Sequence, residues 1–229
     1  ADGNCLFRSV APQVQPEDVA RLPERSSEWA EALGGDLGQR WEALDARERS
    51  TFLRRMAMLD ESEFVRRVAE FRERGEPLPP DMEWRTVELF TDMAEEFIHS
   101  GKTELAEGVS RWNLQSVYDR VREVVRQKPL GEKLDFVLRH AEEYLQITGR
   151  VGNWAGSSEM AALASALSRP FQAYGNNWVS QLAITLEATD DGSWEVKPYF
   201  EALAPAGTEA NAPVRVFQTN GGGHYQMLA

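Results

Sequence analysis

The order of the predicted secondary structure, with helices first and strands last, is the feature that most limits how this chain can fold. Through the first two thirds of its 229 residues, apolar residues recur every three or four positions and charged residues fill the other faces, which is typical of amphipathic helices. After Pro170 apolar residues alternate with polar ones, which predicts short strands. We therefore expect a single α+β domain over residues 1–229, in which the first helix packs on a small sheet from the last third of the chain.

Glycine and proline residues divide this pattern into elements. Residues 75–80, 100–101 and 128–131 interrupt the helical stretches. In the last third we predict a loop at 152–156, a short helix opening at Glu159, and a hairpin turn at Asp191 and Gly192. The predicted strands lie at 171–174, around Leu182, Ile184 and Leu186, around Trp194 and Val196, around Val214 and Val216, and at 224–228.

Composition and charge narrow the functional classes. With 42% hydrophobic residues, the chain can build a core, and it holds no run of 18 apolar residues that would span a membrane. Its first residues lack a signal-peptide pattern. A net charge of −12 disfavours nucleic-acid binding and permits a basic partner, although simple solubility accounts for many of the carboxylates equally well. The single cysteine excludes an internal disulfide and fits a reducing compartment, so we expect a cytosolic monomer.

That cysteine, Cys5, stands where a polar, glycine-containing turn meets an apolar run that starts at Leu6. We expect a helix to begin there. A thiol at a helix N-terminus can react as a thiolate nucleophile, and the free amides of the first turn face any anion that forms beside the sulfur.

A nucleophilic cysteine needs a base, and the chain has three histidines. His99 ends an amphipathic helix and His140 lies in a charged helical segment, so both fit structural or solvated roles. His224 follows three glycines and precedes an aromatic residue on a short strand, which makes it the candidate base. The alternative is an ordinary strand histidine after a flexible hairpin.

Metal and cofactor chemistry is not indicated. One cysteine and three scattered histidines give no ligand spacing typical of a metal site. The glycines at 221–223 lack the lysine and the strand–loop–helix order of a phosphate loop, and Asp190 and Asp191 fit turn chemistry. We expect neither a metal nor a cofactor.

Three segments, in this order, resemble the motifs of the ovarian-tumour (OTU) family of cysteine proteases. Residues 2–8, Asp-Gly-Asn-Cys-Leu-Phe-Arg, are similar to the family's catalytic-cysteine motif, which is specific. Residues 152–163 resemble its Trp-Gly-Gly segment and following short helix, and Gly-His-Tyr at 223–225 resembles its final-strand His-Tyr. The resemblance covers about the first 10 and the last 80 residues.

The resemblance implies a papain-like fold and a deubiquitinase, which hydrolyses isopeptide bonds after the C-terminal glycine of ubiquitin. It implies that Cys5 is the nucleophile and His224 its general base, and that no cofactor is needed. It also implies an oxyanion hole and, in many relatives, a catalytic aspartate in the cysteine motif. It assigns the oxyanion hole to the loop of Asp2, Gly3 and Asn4 together with the Cys5 amide, and Asp2 is the aspartate of the motif. It assigns substrate binding to Trp154, Gly223 and Tyr225.

Two positions depart from the family pattern. Many relatives have Asn or Asp two residues after the histidine, where it orients the imidazole, and here Gln226 occupies that position. Residues 224 and 226 of a strand share a face, so the Gln226 amide oxygen could reach the ring, with Asn220 as an alternative. Ala155 replaces a glycine of the Trp-Gly-Gly segment.

The other departure is the distance of 149 residues between Cys5 and Trp154, which is much longer than in compact relatives. We interpret about 27–146 as an inserted helical arm and expect it to dock ubiquitin or polyubiquitin. Some bacterial effector members of the family carry such insertions. Scarce lysine and common arginine also favour an effector that a bacterium secretes into a host cytosol.

Two alternatives stay open. The first is a catalytically weak or dead ubiquitin-binding module on the same fold, which the Gln226 departure permits. The second is a cysteine peptidase that acts on a ubiquitin-like modifier or an unrelated peptide.

Overall fold

The computed structural model describes residues 3–22, 27–175, 185–188, 194–203, 212–218 and 225–227. Its helices are α1 (Cys5–Val10), α2 (Pro16–Ala20), α3 (Ser27–Leu33), α4 (Leu37–Ala43), α5 (Ala46–Arg74), α6 (Pro80–Ser100), α7 (Leu114–Gln127), α8 (Leu130–Thr148) and α9 (Ser157–Leu167). Single 3-10 turns lie at Ala11–Gln13 and Glu104–Ala106. The strands are β1 (Phe171–Gly175), β2 (Thr185–Ala188), β3 (Trp194–Lys197), β4 (Phe200–Ala202), β5 (Val214–Gln218) and β6 (Tyr225–Met227).

The breaks between the long helices fall where the sequence pattern predicts, at 75–79, after Ser100 and at 128–129. α5 opens on a capping box, because the Asp45 carboxylate accepts hydrogen bonds from the amides of Arg47 and Glu48 and the Glu48 carboxylate accepts one from the Asp45 amide. α5 and α6 each end on a glycine, Gly75 at φ 66° and Gly101 at φ 70°, a left-handed conformation that glycine adopts without strain.

The strands β4-β1-β5-β6 form a mixed sheet in that order. β1 runs parallel to β5, and the other two pairs are antiparallel. β2 and β3 form a separate antiparallel pair. α1 lies against β5 and β6, so the predicted α+β class and the packing of the first helix on a C-terminal sheet are confirmed.

The strands of the structure include one that the sequence pattern did not predict. The sequence analysis missed β4, because three residues after Pro198 are too few to display an alternating pattern. The predicted strand positions Leu182 and Ile184 and the turn at Asp191 and Gly192 lie outside the described residues.

Buried apolar side chains form two clusters, and α5 contributes to both. The first cluster joins α1, the N-terminal half of α5, α9 and the sheet, and it also takes in Trp29, Leu33, Leu37 and Trp41 of α3 and α4. The second cluster starts at Phe64 of α5 and continues through α6, α7 and α8. Part of the stretch assigned to the arm, 29–57, therefore packs with α1 and the sheet, and the separate helical body starts in the middle of α5.

Buried polar side chains lie where the two clusters meet. Arg85 of α6 stacks over the Phe64 ring at 4.3 Å and pairs with Asp60, which also accepts a hydrogen bond of 2.9 Å from the Ser165 hydroxyl. Glu61, the residue that follows Asp60 in α5, is completely buried. Its carboxylate has no hydrogen-bond partner among the described residues, and the Arg85 guanidinium lies 3.5 Å away.

This burial makes Glu61 a source of pH-dependent stability. Burial raises the pKa of Glu61 to about 8, the Arg85 charge opposes the rise, and Glu159 and Asp60 add to it. The folded protein therefore holds a proton that the unfolded chain releases near its ordinary pKa of 4.5. Because folding takes up this proton, the contribution lowers the free energy of unfolding as pH rises from about 4.5 to about 8.

A Glu61→Gln variant is expected to be more stable than the wild type at pH 8, by roughly 2 to 4 kcal/mol, and nearly equal to it at pH 5. The amide cannot ionise, so the cost of burying a charge disappears. Urea unfolding at both pH values measures the difference, with Glu73→Gln on the exposed face of α5 as the matched control. An equal gain at pH 5 and pH 8 would contradict the assignment of the effect to the Glu61 proton.

Candidate active site

Cys5 is the first residue of α1, as predicted, and is partly exposed. The Asn4 carbonyl accepts the Arg8 amide at 2.9 Å, and the Ser9 hydroxyl donates to the Cys5 carbonyl at 2.8 Å. The buried side chains of the helix, Leu6, Phe7 and Val10, anchor it in the first cluster. The thiol therefore stands at the start of a helix that is fixed on the sheet.

The loop before Cys5 touches the loop of the second motif segment. Gly3 has φ 62°, and a Cβ atom added to it would overlap the carbonyl group of Gly152 and the carbonyl oxygen of Asn153. Only glycine permits this approach of two backbones. The fold thus brings together two segments that are about 150 residues apart in the chain.

Arg54 of α5 holds these two loops together, and the sequence analysis missed it. Its side chain is only 1% exposed. It donates hydrogen bonds to the side-chain oxygen of Asn4 at 3.0 Å and to the carbonyls of Gly3 at 2.8 Å and Asn153 at 2.7 Å. It also donates to the carbonyl of Thr148, and the guanidinium lies 4.6 Å from the centre of the Phe7 ring.

The third motif segment reaches the same helix through β6. This strand begins at Tyr225, one residue after His224, and lies against α1. Burial raises the pKa of Tyr225 well above its ordinary range, and the charges of Tyr199, Asp92 and Cys5 act in the same direction.

Several predicted site residues lie outside the described residues, namely Asp2, Gly223, His224 and the alternative Asn220. The backbone of Gln226 is described, and it pairs with Phe217 in the β5–β6 ladder. The orientation of the imidazole by Gln226 stays a prediction.

The two described residues expected to bind substrate differ in exposure. Trp154 is 53% exposed and follows Asn153, whose carbonyl Arg54 binds. Tyr225 is 9% exposed and packs in the first cluster. Ala155, which replaces a glycine of the family pattern, is buried in the same cluster. Substrate contact by Trp154 and Tyr225 stays a prediction.

The other two histidines belong to the helical body. His99 is exposed at the C-terminal end of α6. His140 packs among aromatic rings of the second cluster, 4.5 Å from the Phe136 ring centre and 5.5 Å from that of Phe97. His224 directly precedes β6 in the chain, and β6 lies against α1, so His224 stays the candidate base.

Within the described ranges, no group of three or more His, Cys, Asp or Glu side chains is arranged to hold a metal ion. None of the helices there is long and apolar enough to cross a membrane. No protein-family model and no curated protein matches the chain.

Proposed function

We propose that this protein is a thiol-dependent deubiquitinase with an OTU-type, papain-like fold. The observation that carries the proposal is the meeting of three distant motif segments at α1. The loop before Cys5 contacts the loop at 152–153, and the strand that starts just after His224 lies against the same helix. The described parts of the three segments therefore support a site near the partly exposed Cys5 at the start of α1.

The proposed reaction is an acyl transfer through a thioester. His224 accepts the Cys5 proton, and the thiolate attacks the carbonyl carbon of the C-terminal glycine of ubiquitin. The tetrahedral intermediate collapses when His224 donates that proton to the leaving lysine amine, which breaks the isopeptide bond. His224 then takes a proton from water, the hydroxide attacks the thioester, and ubiquitin leaves with a free carboxylate while the thiol is restored.

The proposal assigns oxyanion stabilisation to the loop of Asp2, Gly3 and Asn4 together with the Cys5 amide. Arg54 binds the Gly3 carbonyl and the Asn4 side-chain oxygen, which fixes this loop against α5. A preorganised donor of this kind contributes about 3 kcal/mol to the transition state. Gln226 is assigned to orient His224, because it stands two residues after the histidine and alternate residues of an extended chain share a face.

The substrate follows from the motif resemblance and from charge. The net charge of −12 suits a partner with a basic binding face, and ubiquitin has one. The proposed setting is a cytosol, with a secreted bacterial effector in a host cell as the source that the lysine-poor composition favours.

A ubiquitin carrying a C-terminal electrophile in place of its last glycine tests the proposal directly. We expect a covalent adduct of one ubiquitin per chain, and peptide mapping should place it on Cys5, the single thiol. A panel of differently linked diubiquitins then reports the cleavage itself. Matched probes made from ubiquitin-like modifiers test whether the reaction is selective for ubiquitin.

Each alternative has its own outcome in this experiment. Reaction with a modifier-derived probe but not with the ubiquitin probe would indicate that the substrate is a ubiquitin-like modifier instead of ubiquitin. Reversible ubiquitin binding without an adduct would indicate a binding module. Reaction of Cys5 with iodoacetamide in the same sample checks that the thiol is accessible.

A further inference from the structure

The Arg54 guanidinium joins three parts of the chain at one point. Its Nε donates to the Asn4 side chain, one terminal nitrogen donates to the Thr148 carbonyl, and the other donates to the carbonyls of Gly3 and Asn153. All three nitrogens are engaged, and the acceptors come from the Cys5 loop, the end of α8 and the loop before Trp154.

These four acceptors are oxygens of the backbone and of the Asn4 side chain, and the guanidinium is removed from water. Burial raises the pKa of Glu159, and the guanidinium charge opposes this rise. A buried charge is costly unless hydrogen bonds compensate for it, and an apolar residue of similar size often fills such a space at lower cost. Packing alone therefore gives a weak reason for an arginine at this place. A rigid planar fork that can bind several carbonyls at once gives a stronger one.

The residues that Arg54 binds flank the proposed reaction centre. Gly3 and Asn4 directly precede Cys5, and Asn153 directly precedes the exposed Trp154. We infer that Arg54 is a positioning residue, which holds the oxyanion loop at 3–4 against the loop at 152–153. This inference rests on the proposed function, because it assigns Arg54 a role in acyl transfer.

Positioning has a kinetic signature that differs from that of folding. A displacement of about 1 Å at a reacting centre can cost about 100-fold in rate. Alkylation of Cys5 by iodoacetamide forms no oxyanion, so a misplaced oxyanion loop slows acyl transfer and leaves alkylation unchanged. Loss of folded protein would instead lower hydrolysis while leaving the thiol open to the reagent, so the folded fraction has to be measured separately.

The test compares Arg54→Lys and Arg54→Gln with Arg55→Lys, an exposed neighbour on α5 that serves as the control. Lysine keeps the charge but presents a single point of donors, so it cannot span the two loops. We expect both Arg54 variants to lower kcat on a fluorogenic ubiquitin amide about 10- to 100-fold, with KM changed less than about threefold. All rates are corrected for the folded fraction, which urea unfolding gives.

Iodoacetamide alkylation of the same samples is expected to stay within about twofold of the wild type, and Arg55→Lys is expected to behave like the wild type in both reactions. An Arg54 variant with wild-type kcat per folded molecule would overturn the inference, and so would an equal fall in alkylation and hydrolysis. A wild-type protein that alkylates normally but cleaves no ubiquitin substrate would instead overturn the proposed function.

Discussion

Replacing Cys5 with alanine is expected to abolish hydrolysis of ubiquitin conjugates and to leave ubiquitin binding intact. Cys5 is the single thiol of the chain, so no other cysteine can take over the attack. Removal of the nucleophile from a thiol or serine protease typically costs about 10⁴-fold or more in kcat. Steady-state cleavage of the preferred diubiquitin and calorimetric binding of ubiquitin measure the two halves of this prediction.

The stability of the Cys5→Ala protein is the necessary control. Cys5 is partly exposed, and truncation of its side chain removes one sulfur atom, so we expect the free energy of unfolding to change by less than about 1 kcal/mol. A Cys5→Ala protein that still cleaves diubiquitin at the wild-type rate would contradict the proposed mechanism.

Gly3→Ala is expected to lower kcat/KM about 100-fold or more, because no place exists for a Cβ atom between the two loops. Part of the effect is backbone strain, since a left-handed conformation costs a non-glycine residue about 1–2 kcal/mol. The larger part is steric. The added methyl would meet the backbone of Gly152 and Asn153, which cannot rotate aside as a flexible side chain can.

Gly75→Ala separates these two contributions. Gly75 has φ 66°, almost the same as Gly3, but a Cβ atom there would meet nothing within 4 Å. It should therefore lose about 1 kcal/mol of stability and keep full activity. If Gly3→Ala proved no more harmful to kcat/KM than Gly75→Ala, the close approach of the two loops would have no part in catalysis.

The sequence pattern predicted the long helices well because their information is local. Apolar spacing within each segment and the glycines at 75 and 101 are sufficient to bound α5 and α6. The contact between the loops at 3–4 and 152–153 was not predicted, since nothing in the spacing of the residues brings the two segments together. The motif resemblance only assigned both segments to the same family pattern.

Arg54 and Glu61 show why the rest could not be predicted. Both belong to the buried face of α5, together with Ser50 and Ala57, at helical spacing. In the sequence these charged residues look like part of the solvated face of an amphipathic helix. Their burial depends on partners such as Thr148 and Arg85, which only the tertiary fold supplies.

The packing of α1 on β5 and β6 also has a consequence for biosynthesis. The two strands that cover this helix are translated about 200 residues after it. At roughly 5–20 residues synthesised per second, the apolar face formed by Leu6, Phe7 and Val10 lacks β5 and β6 for about 10 to 40 seconds. A nascent chain would thus hold an unassembled thiol loop until β5 and β6 have left the ribosome, and the proposed activity would arise only after that point.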